Sequence, residues 1–219
     1  MLKAVENMAT QKHENWLRGQ GYNYIAGVDE VGRGALAGPI VAAAVIMPAS
    51  PRLPDIDDSK KLTPKKRQAA YQPITRTALA WSIGIQSAQT IDQIGIQAAN
   101  KRAMHLALGS LSVMPDYILV DALNIGLATP NEAIIHGDQR IYCIATASII
   151  AKVTRDAMMV MLAKHYPVYG FDRHKGYGSA QHCELIRQHG ASTIHRRSFL
   201  KNILNVGKVP AGAKVKNMV

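Results

Sequence analysis

Residues 24–39, with the sequence YIAGVDEVGRGALAGP, contain the feature that decides the fold. The apolar run at the start of this stretch predicts a strand that ends at two adjacent carboxylates, Asp29 and Glu30. Two neighbouring anions repel each other, and burying them without a partner costs free energy. A divalent cation removes that cost, because carboxylates bind hard cations readily. The stretch therefore predicts a metal site at a strand end, although a surface turn carrying two solvated acids would give the same dipeptide.

A glycine-rich turn follows the two carboxylates directly. Gly32 and Gly34 allow the backbone to come close to a ligand, because neither carries a side chain. Arg33, between them, offers a planar guanidinium that matches the geometry of a phosphate. The turn is therefore expected to face a ligand beside the metal site.

Length and charge limit the class of protein. The chain has 219 residues, 47% of them hydrophobic, which suits one large domain or one domain with an appendage. Its net charge of +11 favours a polyanionic partner over an uncharged one. No amphipathic membrane helix stands out, so nucleic acid is preferred to a membrane surface. A basic protein that is merely soluble would have the same charge.

The lack of a recognisable targeting signal and the small number of cysteines favour a cytoplasmic location. The chain has no run of about 18 uncharged apolar residues, and residues 1–20 contain no continuous apolar segment of the kind found in signal peptides. Cys143 and Cys183 are too few for a disulfide scaffold and are expected to be reduced thiols. We therefore expect a cytoplasmic protein without a membrane partner.

Periodicity and turn residues predict an α/β fold, with a sheet flanked by helices and a helical C-terminal region. The short Gly/Pro-rich link after the first strand predicts that the first two strands are antiparallel neighbours. Thr63 followed by Pro64 predicts a helix start, and Gly190 a helix end. The predicted strands span 22–29, 40–47, 80–87, 117–120 and 133–136, and the predicted helices span 64–77, a stretch from 90 to 111, 144–165 and 180–189.

Two further acids follow apolar runs. Asp121 comes directly after the run 117–120, and Asp138 comes after Ile134, Ile135 and two more residues. Ligands of open α/β sheets bind beyond strand ends, so these side chains could converge with Asp29 and Glu30. Four carboxylates without a Cys/His cluster suit Mg²⁺ or Mn²⁺ better than zinc. Singly, Asp121 could instead cap a turn and Asp138 could lie in a Gly-Asp loop.

Several ordered motifs resemble those of the bacterial type 2 ribonucleases H, the ribonuclease HII family. They follow the family order from about residue 24 to 200, so the resemblance is specific. The matching segments are GVDEVGRG at 27–34 with Gly38-Pro39, DSKKL at 58–62, VD at 120–121, GD at 137–138, ASIIAKVTRD at 147–156, YGF at 169–171, HKGYG at 174–178 and HRRSF at 195–199.

The resemblance implies an RNase H-like fold with a central mixed sheet. It also implies an endonuclease that cuts the RNA strand of RNA–DNA hybrids and nicks duplex DNA 5′ to an embedded ribonucleotide, with a role in ribonucleotide and primer removal. The implied chemistry is two-metal-ion hydrolysis with Mn²⁺ or Mg²⁺, which leaves 3′-hydroxyl and 5′-phosphate ends. The residues that match the family's metal-binding and catalytic carboxylates are Asp29, Glu30, Asp121 and Asp138.

The resemblance also implies where the substrate is recognised. The Gly32-Arg33-Gly34 turn falls where family members recognise the 2′-hydroxyl at the RNA–DNA junction, and Tyr177 falls on the tyrosine that packs against the adjacent deoxyribose. Phosphate contacts are expected for Lys60, Lys61, Arg196 and Arg197, although each pair could also be a solvated face. Asp156 is interpreted first as an ion-pair partner of Arg155 or another neighbour, with catalysis as the alternative.

The expected organisation has an N-terminal extension at 1–20, a catalytic domain at 21–200 and a basic tail at 201–219. The tail could contact a replication protein, and a monomer is expected. Two other functions remain open on the residues alone. One is a non-catalytic protein that binds RNA–DNA hybrids, and the other is a different two-metal nuclease on a similar fold.

Overall fold

A computed structural model describes residues 9–54, 56, 59 and 62–204, and its centre is a five-stranded sheet. The strand order is β3-β2-β1-β4-β5: β2 is antiparallel to both of its neighbours, β3 and β1, whereas β4 is parallel to β1 and β5 is parallel to β4. The predicted α/β class with a mixed sheet and the antiparallel first pair are confirmed. The strands are β1 (Ile25–Val31), β2 (Ile40–Ile46), β3 (Ala80–Gln86), β4 (Tyr117–Asp121) and β5 (Asn131–Ile134).

Helices cover both faces of this sheet and form the C-terminal part of the described chain. The longest one has 24 residues and lies against β1 and β2. The helices are α1 (Lys12–Gly19), α2 (Pro64–Thr77), α3 (Ala88–Ile94), α4 (Ile96–Gly109), α5 (Gly137–Arg140), α6 (Tyr142–His165), α7 (Phe171–His174), α8 (Ala180–His189) and α9 (Lys201–Leu204).

Capping residues set several of these boundaries. The Thr63 side chain accepts a hydrogen bond from the Lys66 amide at the start of α2, as its sequence predicts. Ser87 caps α3, because the Ser87 hydroxyl accepts the amide hydrogen of Thr90. The predicted single helix from 90 to 111 is therefore two helices, separated at Gly95, whose φ of 79° places it in the left-handed region.

Two other predicted boundaries were wrong. The fifth strand was expected at 133–136, but β5 ends at Ile134. Ile135 is 69% exposed, and His136 adopts a left-handed φ of 56° that a strand cannot continue through. No helix was predicted between residues 166 and 179, yet this segment contains a 3-10 turn at Pro167–Tyr169 and the short helix α7.

Alternation along the strands divides the core into two layers. On β2, Ala42, Ala44 and Ile46 pack with α4, whereas Ala43 and Val45 pack with α2 and α6. All seven residues of β2 are buried, which explains why its sequence is continuously apolar. The same alternation places alternate residues of β1 and β4 toward α6.

Gly84 on β3 shows how closely one helix approaches the sheet. A Cβ atom at this position would collide with the backbone carbonyl of Ala103 on α4. We expect Gly84→Ala to lower the free energy of unfolding by about 3 kcal/mol, because backbone atoms cannot move aside as a side chain can. Gly109→Ala is the matched control, since no atom lies within 4 Å of its added Cβ. Denaturant unfolding of both variants measures the difference, and equal stabilities would contradict the close approach.

The N-terminal extension is part of the packed structure from residue 9 onward. Leu17 of α1 packs with Ile25 and Leu119 of the sheet. The Glu14 carboxylate accepts a hydrogen bond of 2.9 Å from the Cys143 amide in the first turn of α6. The first turn of α6 thus obtains a hydrogen-bond acceptor from α1, because its own preceding residue, Ile141, provides no side-chain cap.

A buried histidine pair lies in the C-terminal part of the core. Burial lowers the pKa of His182 and that of His195 from 6.5 to about 4, and a neighbouring His174 lowers both pKa values further. The unfolded chain therefore binds more protons than the folded chain between about pH 6.5 and 4. Stability is fully present above about pH 6.5 and is lost as the pH falls through that window.

Urea unfolding as a function of pH checks this expectation. His195→Gln removes one of the two depressed groups, so it should reduce the slope of unfolding free energy against pH between about pH 6.5 and 5, a range above the ordinary carboxyl pKa. His165→Gln, at an exposed position, is the control and should keep the wild-type slope. An unchanged slope in His195→Gln would show that this ring carries its charge in the folded protein.

Some sequence expectations lie outside the described residues, namely those for Lys60, Lys61 and most of the basic tail. Both cysteines are free, with Cys143 buried and Cys183 half-buried, as predicted. Among the described residues, none of the helices combines the length and hydropathy needed to cross a bilayer.

Candidate active site

Three carboxylates converge where β1 and β4 end. Val28 of β1 pairs with Val120 of β4, so continuing the parallel register by one residue puts Asp29 beside Asp121 on the side of the sheet that faces α6. Asp138 joins them from α5, and one carboxylate oxygen from each of the three lies within 4.8 Å of the others. The sequence therefore correctly predicted the convergence of these three acids.

Asp138 is positioned by a helix and not, as the sequence suggested, by the end of a strand. It lies in the four-residue helix α5, whose first residue, Gly137, donates its amide hydrogen to the Asp121 carboxylate at 2.7 Å. A Cβ atom at Gly137 would lie 2.6 Å from the side chain of Ile144. This glycine is required because α5, Asp121 and α6 meet here in close contact.

The electrostatics of the cluster suit a cation. Burial raises the pKa of Asp29 well above its ordinary value, and Glu30, Asp121 and Asp138 raise it further. A hydrogen bond from Ser148 of α6 acts in the opposite direction. Three oxygen ligands from carboxylates, two of them on buried residues, form the type of donor set that Mg²⁺ and Mn²⁺ prefer. The residues present therefore fit a hard divalent metal.

Glu30 is not a member of that three-carboxylate cluster. Successive strand residues point to opposite faces, so Glu30 starts from the face opposite to Asp29 although both are at the end of β1. The Glu30 amide donates to the Asp29 carboxylate at 2.7 Å, which helps to fix the orientation of Asp29. The expectation that Glu30 is a metal ligand stays a prediction.

The side chain of Arg155 packs against the glycine turn that follows β1. Gly32 has a φ of 92°, and a Cβ atom there would collide with the guanidinium of Arg155. Arg33 and Gly34 are exposed at the tip of the turn. The turn therefore presents Arg33 and its neighbouring backbone to solvent beside the carboxylates, while Gly32 allows Arg155 to fill the space beneath.

Arg155 of α6 is a buried positive charge that joins two loops. Its guanidinium donates to the carbonyls of Pro39 at 2.9 Å, Lys175 at 3.0 Å and Ala37 at 3.1 Å. It also lies over the ring of Tyr177, 5.2 Å from the ring centroid. One side chain thereby connects the segment after the glycine turn with the loop that carries Tyr177.

Direct backbone hydrogen bonds connect the same two loops. The amides of Leu36 and Ala37 both donate to the carbonyl of Gly176, at 2.8 and 3.2 Å. The glycine turn and the Tyr177 loop are therefore a single hydrogen-bonded unit. Tyr177 itself is half-buried, with the ammonium of Lys152 5.7 Å from its ring centroid.

The structure corrects the expectation for Arg196. It was expected on a phosphate-contacting surface, but it is fully buried and donates to the carbonyls of Gly38 at 3.1 Å and Arg33 at 3.0 Å. Burial lowers its pKa to about 9, so it still carries a charge at neutral pH. Arg196 thus supports the glycine turn from inside, whereas its neighbour Arg197 is exposed.

A further set of polar contacts begins at Ser148, the hydrogen-bond partner of Asp29. The hydroxyl of Ser148 lies 2.8 Å from that of Ser59, and the Ser59 carbonyl accepts from Arg67 at 2.8 Å. Asp156 forms ion pairs with Lys152 at 2.8 Å and with Arg67 at 3.6 Å. Asp156 therefore pairs with these two cations and lies outside the three-carboxylate cluster.

The roles of Ser148 and Arg155 were missed from the sequence. A signal was present, because residues 148, 151, 155 and 159 share one face of α6, and an arginine among Ser, Ala and Met on a buried face indicates a buried charge with partners. The partners themselves are backbone carbonyls of distant loops. No sequence pattern specifies those.

Comparison with known proteins agrees with this site. The family model described as Ribonuclease HII matches residues 26–202. A ribonuclease HII of Bacillus thuringiensis is 51% identical over 188 residues, which cover 86% of this chain and 73% of the relative. The residues that the family model matches include every carboxylate of the site.

Solved structures share the fold. The crystal structure of ribonuclease H2 from Pyrococcus horikoshii superposes with a TM-score of 0.70 at 27% identity, covering 83% of this chain and 97% of that one. The RNase HII in a complex with PCNA from Archaeoglobus fulgidus gives a TM-score of 0.65 at 23% identity, over 82% of this chain and 96% of that one, and shows likeness of fold. The chain therefore belongs to the ribonuclease HII family and is a ribonuclease H hydrolase, an endonuclease of RNA–DNA hybrids.

Proposed function

We propose that this protein hydrolyses the RNA strand of hybrids and nicks duplex DNA on the 5′ side of an embedded ribonucleotide, leaving 3′-hydroxyl and 5′-phosphate ends. The observation that carries the proposal is the position of the three-carboxylate cluster at the end of β1, directly before a turn that is hydrogen-bonded to the Tyr177 loop. This arrangement supports the proposal, because the residues proposed for chemistry and those proposed for recognition of the sugar are close together in the chain and in space.

Asp29, Asp121 and Asp138 would hold divalent metal ions, with Glu30 as a further ligand. Such ions supply an activated water and stabilise the leaving oxygen of an in-line phosphodiester displacement. The protein holds the ligands in place, because Asp29 accepts from the Glu30 amide and Asp121 from the Gly137 amide. Either Mg²⁺ or Mn²⁺ suits this oxygen donor set.

Recognition of the junction is assigned to the unit that Arg155 and Arg196 hold together. The Gly32-Arg33-Gly34 turn, exposed at Arg33 and Gly34, would bring backbone groups and one guanidinium to the ribonucleotide that carries the 2′-hydroxyl. The ring of Tyr177 would pack against the following deoxyribose, where a hydroxyl would disturb the contact. Lys60, Lys61 and Arg197 are proposed phosphate contacts, in keeping with the net charge of +11.

Domain organisation and partners are proposed in the same way. Residues 21–200 form the catalytic domain of a cytoplasmic monomer, with an extension at 1–20 that packs on it from residue 9 onward. The basic tail at 201–219 offers a segment through which a replication protein could be contacted. Because the Archaeoglobus fulgidus neighbour was solved in a complex with PCNA, a PCNA-like protein is the first partner to test.

A non-catalytic hybrid-binding protein fits the geometry less well. Such a protein gains nothing from three clustered anions facing a polyanion, since they weaken its binding to phosphate. A panel of four duplexes tests the proposal: RNA–DNA hybrid, DNA with one ribonucleotide, all-DNA and all-RNA, each with Mg²⁺, Mn²⁺ or EDTA. We expect cleavage of the first two only, and only with a metal. Cleavage of the all-DNA duplex would favour a different two-metal nuclease, and no cleavage of any duplex would favour the binding protein.

Replacing the junction-facing aromatic ring tests recognition separately from chemistry. Tyr177→Ala should lower the rate at a single embedded ribonucleotide about tenfold or more relative to the rate within a long RNA strand, because one packing contact is lost. Single-turnover cleavage of both substrates by the variant and the wild type gives this ratio. Equal losses on the two substrates would mean that Tyr177 only supports its loop.

A further inference from the structure

Three histidines surround the backbone of Tyr177. His182 and His195 are fully buried, and His174 stacks on His182 with 4.2 Å between ring centroids. None of these rings lies in the carboxylate cluster. Their spacing in the sequence does not match that of a zinc site, and their ring nitrogens are instead connected by hydrogen bonds.

The partners of His195 and His182 define the tautomer of each ring. The Ser192 amide donates to Nδ1 of His195 at 3.0 Å, so in the neutral ring the proton of His195 is on Nε2. That Nε2 lies 3.1 Å from Nε2 of His182, which therefore accepts. Nδ1 of His182 then carries the proton and donates to the carbonyl of Tyr177 at 2.9 Å. The hydrogen bonds run in one direction, from Ser192 to Tyr177.

His174 binds the main chain on the N-terminal side of Tyr177. The Gly176 amide donates to its Nδ1 at 3.2 Å, and the Tyr177 amide donates to its carbonyl at 2.9 Å. Its Nε2 donates to the carbonyl of Tyr169. The amides of Gly176 and Tyr177 and the carbonyl of Tyr177 are thus bound by two histidines, and the Ser179 amide donates a further hydrogen bond to the Tyr177 carbonyl.

The chain of hydrogen bonds requires neutral rings. A proton on Nε2 of His182 would face the N–H group of His195, so two donors would be opposed. The depressed pKa values of both rings agree with this geometry. The hydrogen-bond relay of His195 and His182 is therefore maintained at neutral pH, and it ends at the carbonyl of Tyr177.

We infer that His182, supported by His195 and His174, is a positioning residue that sets the selectivity for an embedded ribonucleotide by fixing the backbone of Tyr177. The inference rests on the proposed role of Tyr177. Arg155 and Lys152 contact the ring of Tyr177, while the histidines bind its main chain, so ring packing and backbone position have separate supports.

Two substitutions of the same shape test the inference. Leu and Asn both branch at Cγ, but only Asn places a donor where Nδ1 of His182 lies. His182→Leu should lower the ratio of single-ribonucleotide to long-RNA cleavage about fivefold, the effect of losing one hydrogen bond. His182→Asn should retain most of the wild-type ratio. Equal losses on both substrates in His182→Leu would overturn the inference, because a purely structural role affects both.

A double-mutant cycle shows whether the effect passes through Tyr177. In a Tyr177→Ala background, His182→Leu should leave the ratio unchanged, since the ring it positions is gone. A further decrease would overturn the inference. If Tyr177→Ala alone keeps the wild-type ratio, the proposed junction role fails and the inference fails with it. If Tyr177→Ala lowers the ratio and His182→Leu does not, only the inference fails.

Nitrogen NMR of the wild-type protein tests the relay without any activity. At about pH 6, the ¹⁵N shifts of the imidazole rings should show His182 as the neutral Nδ1–H tautomer and His195 as the neutral Nε2–H tautomer. The same tautomer in both rings, or a protonated His182, would overturn the relay.

Discussion

Asp29→Asn and Asp121→Asn should each lose more than about a thousandfold in cleavage rate while hybrid binding is kept. Each change removes one of the charges that we propose to hold the metal ions, and several kcal/mol of transition-state stabilisation would depend on those ions. The loss of an anion also reduces repulsion of the phosphate backbone, so binding should not weaken. Single-turnover cleavage and fluorescence anisotropy with a labelled hybrid measure the two effects separately.

Glu184→Gln is the matched control for these variants. It neutralises an acid on the exposed face of α8, away from the cluster, and should cleave at the wild-type rate. Near-normal turnover by Asp29→Asn or Asp121→Asn at saturating Mg²⁺ would show that the cluster does not hold the catalytic metal. Asp138→Asn should also be strongly impaired, because its carboxylate completes the group of three.

Arg155→Met should lower the free energy of unfolding by about 3 kcal/mol or more. The side chain keeps a similar volume, but the carbonyls of Pro39, Lys175 and Ala37 lose their donor and remain in a buried environment. The glycine turn and the Tyr177 loop should both become less ordered, so the cleavage rate should fall as well. Denaturant unfolding monitored by circular dichroism gives the stability.

Arg102→Met provides the comparison, because Arg102 is exposed on α4 and its loss should change stability by less than about 0.5 kcal/mol. Equal stabilities for Arg155→Met and Arg102→Met would mean that water or relaxed backbone replaces the buried guanidinium. In that case the account of how the glycine turn and the Tyr177 loop are joined would be wrong.

The sequence predicted the parts of the fold that depend on local patterns. The continuous apolar run of β2, the Thr63 cap of α2 and the Gly190 end of α8 each follow from the residues at those positions. The end of β5 was misplaced, because Ile135 looks like a strand residue and only its exposure shows that it is not one. Hydrophobicity indicates what could be buried, and tertiary packing decides what is.

Some residues of the candidate site could likewise be predicted from the sequence, and others could not. Asp29 and Asp121 could be found from the sequence, because each directly follows an apolar strand and parallel neighbours end at one edge. Arg196 could not be assigned correctly, since an arginine beside a second arginine is typical of a basic surface. Its burial depends on carbonyls of the turn more than 150 residues earlier in the chain. Long-range polar contacts of this kind have no periodic signal.

The most direct test of the central claim is the position and chemistry of one cut. A DNA duplex with a single ribonucleotide, end-labelled on the ribonucleotide strand, is incubated with Mg²⁺, Mn²⁺ or EDTA, and the product ends are mapped. The account predicts one nick, on the 5′ side of the ribonucleotide, with 3′-hydroxyl and 5′-phosphate ends and no product in EDTA. A cut that persists in EDTA, or one that leaves a 2′,3′-cyclic phosphate, would contradict it, because the 2′-hydroxyl and not a metal-activated water would then be the nucleophile.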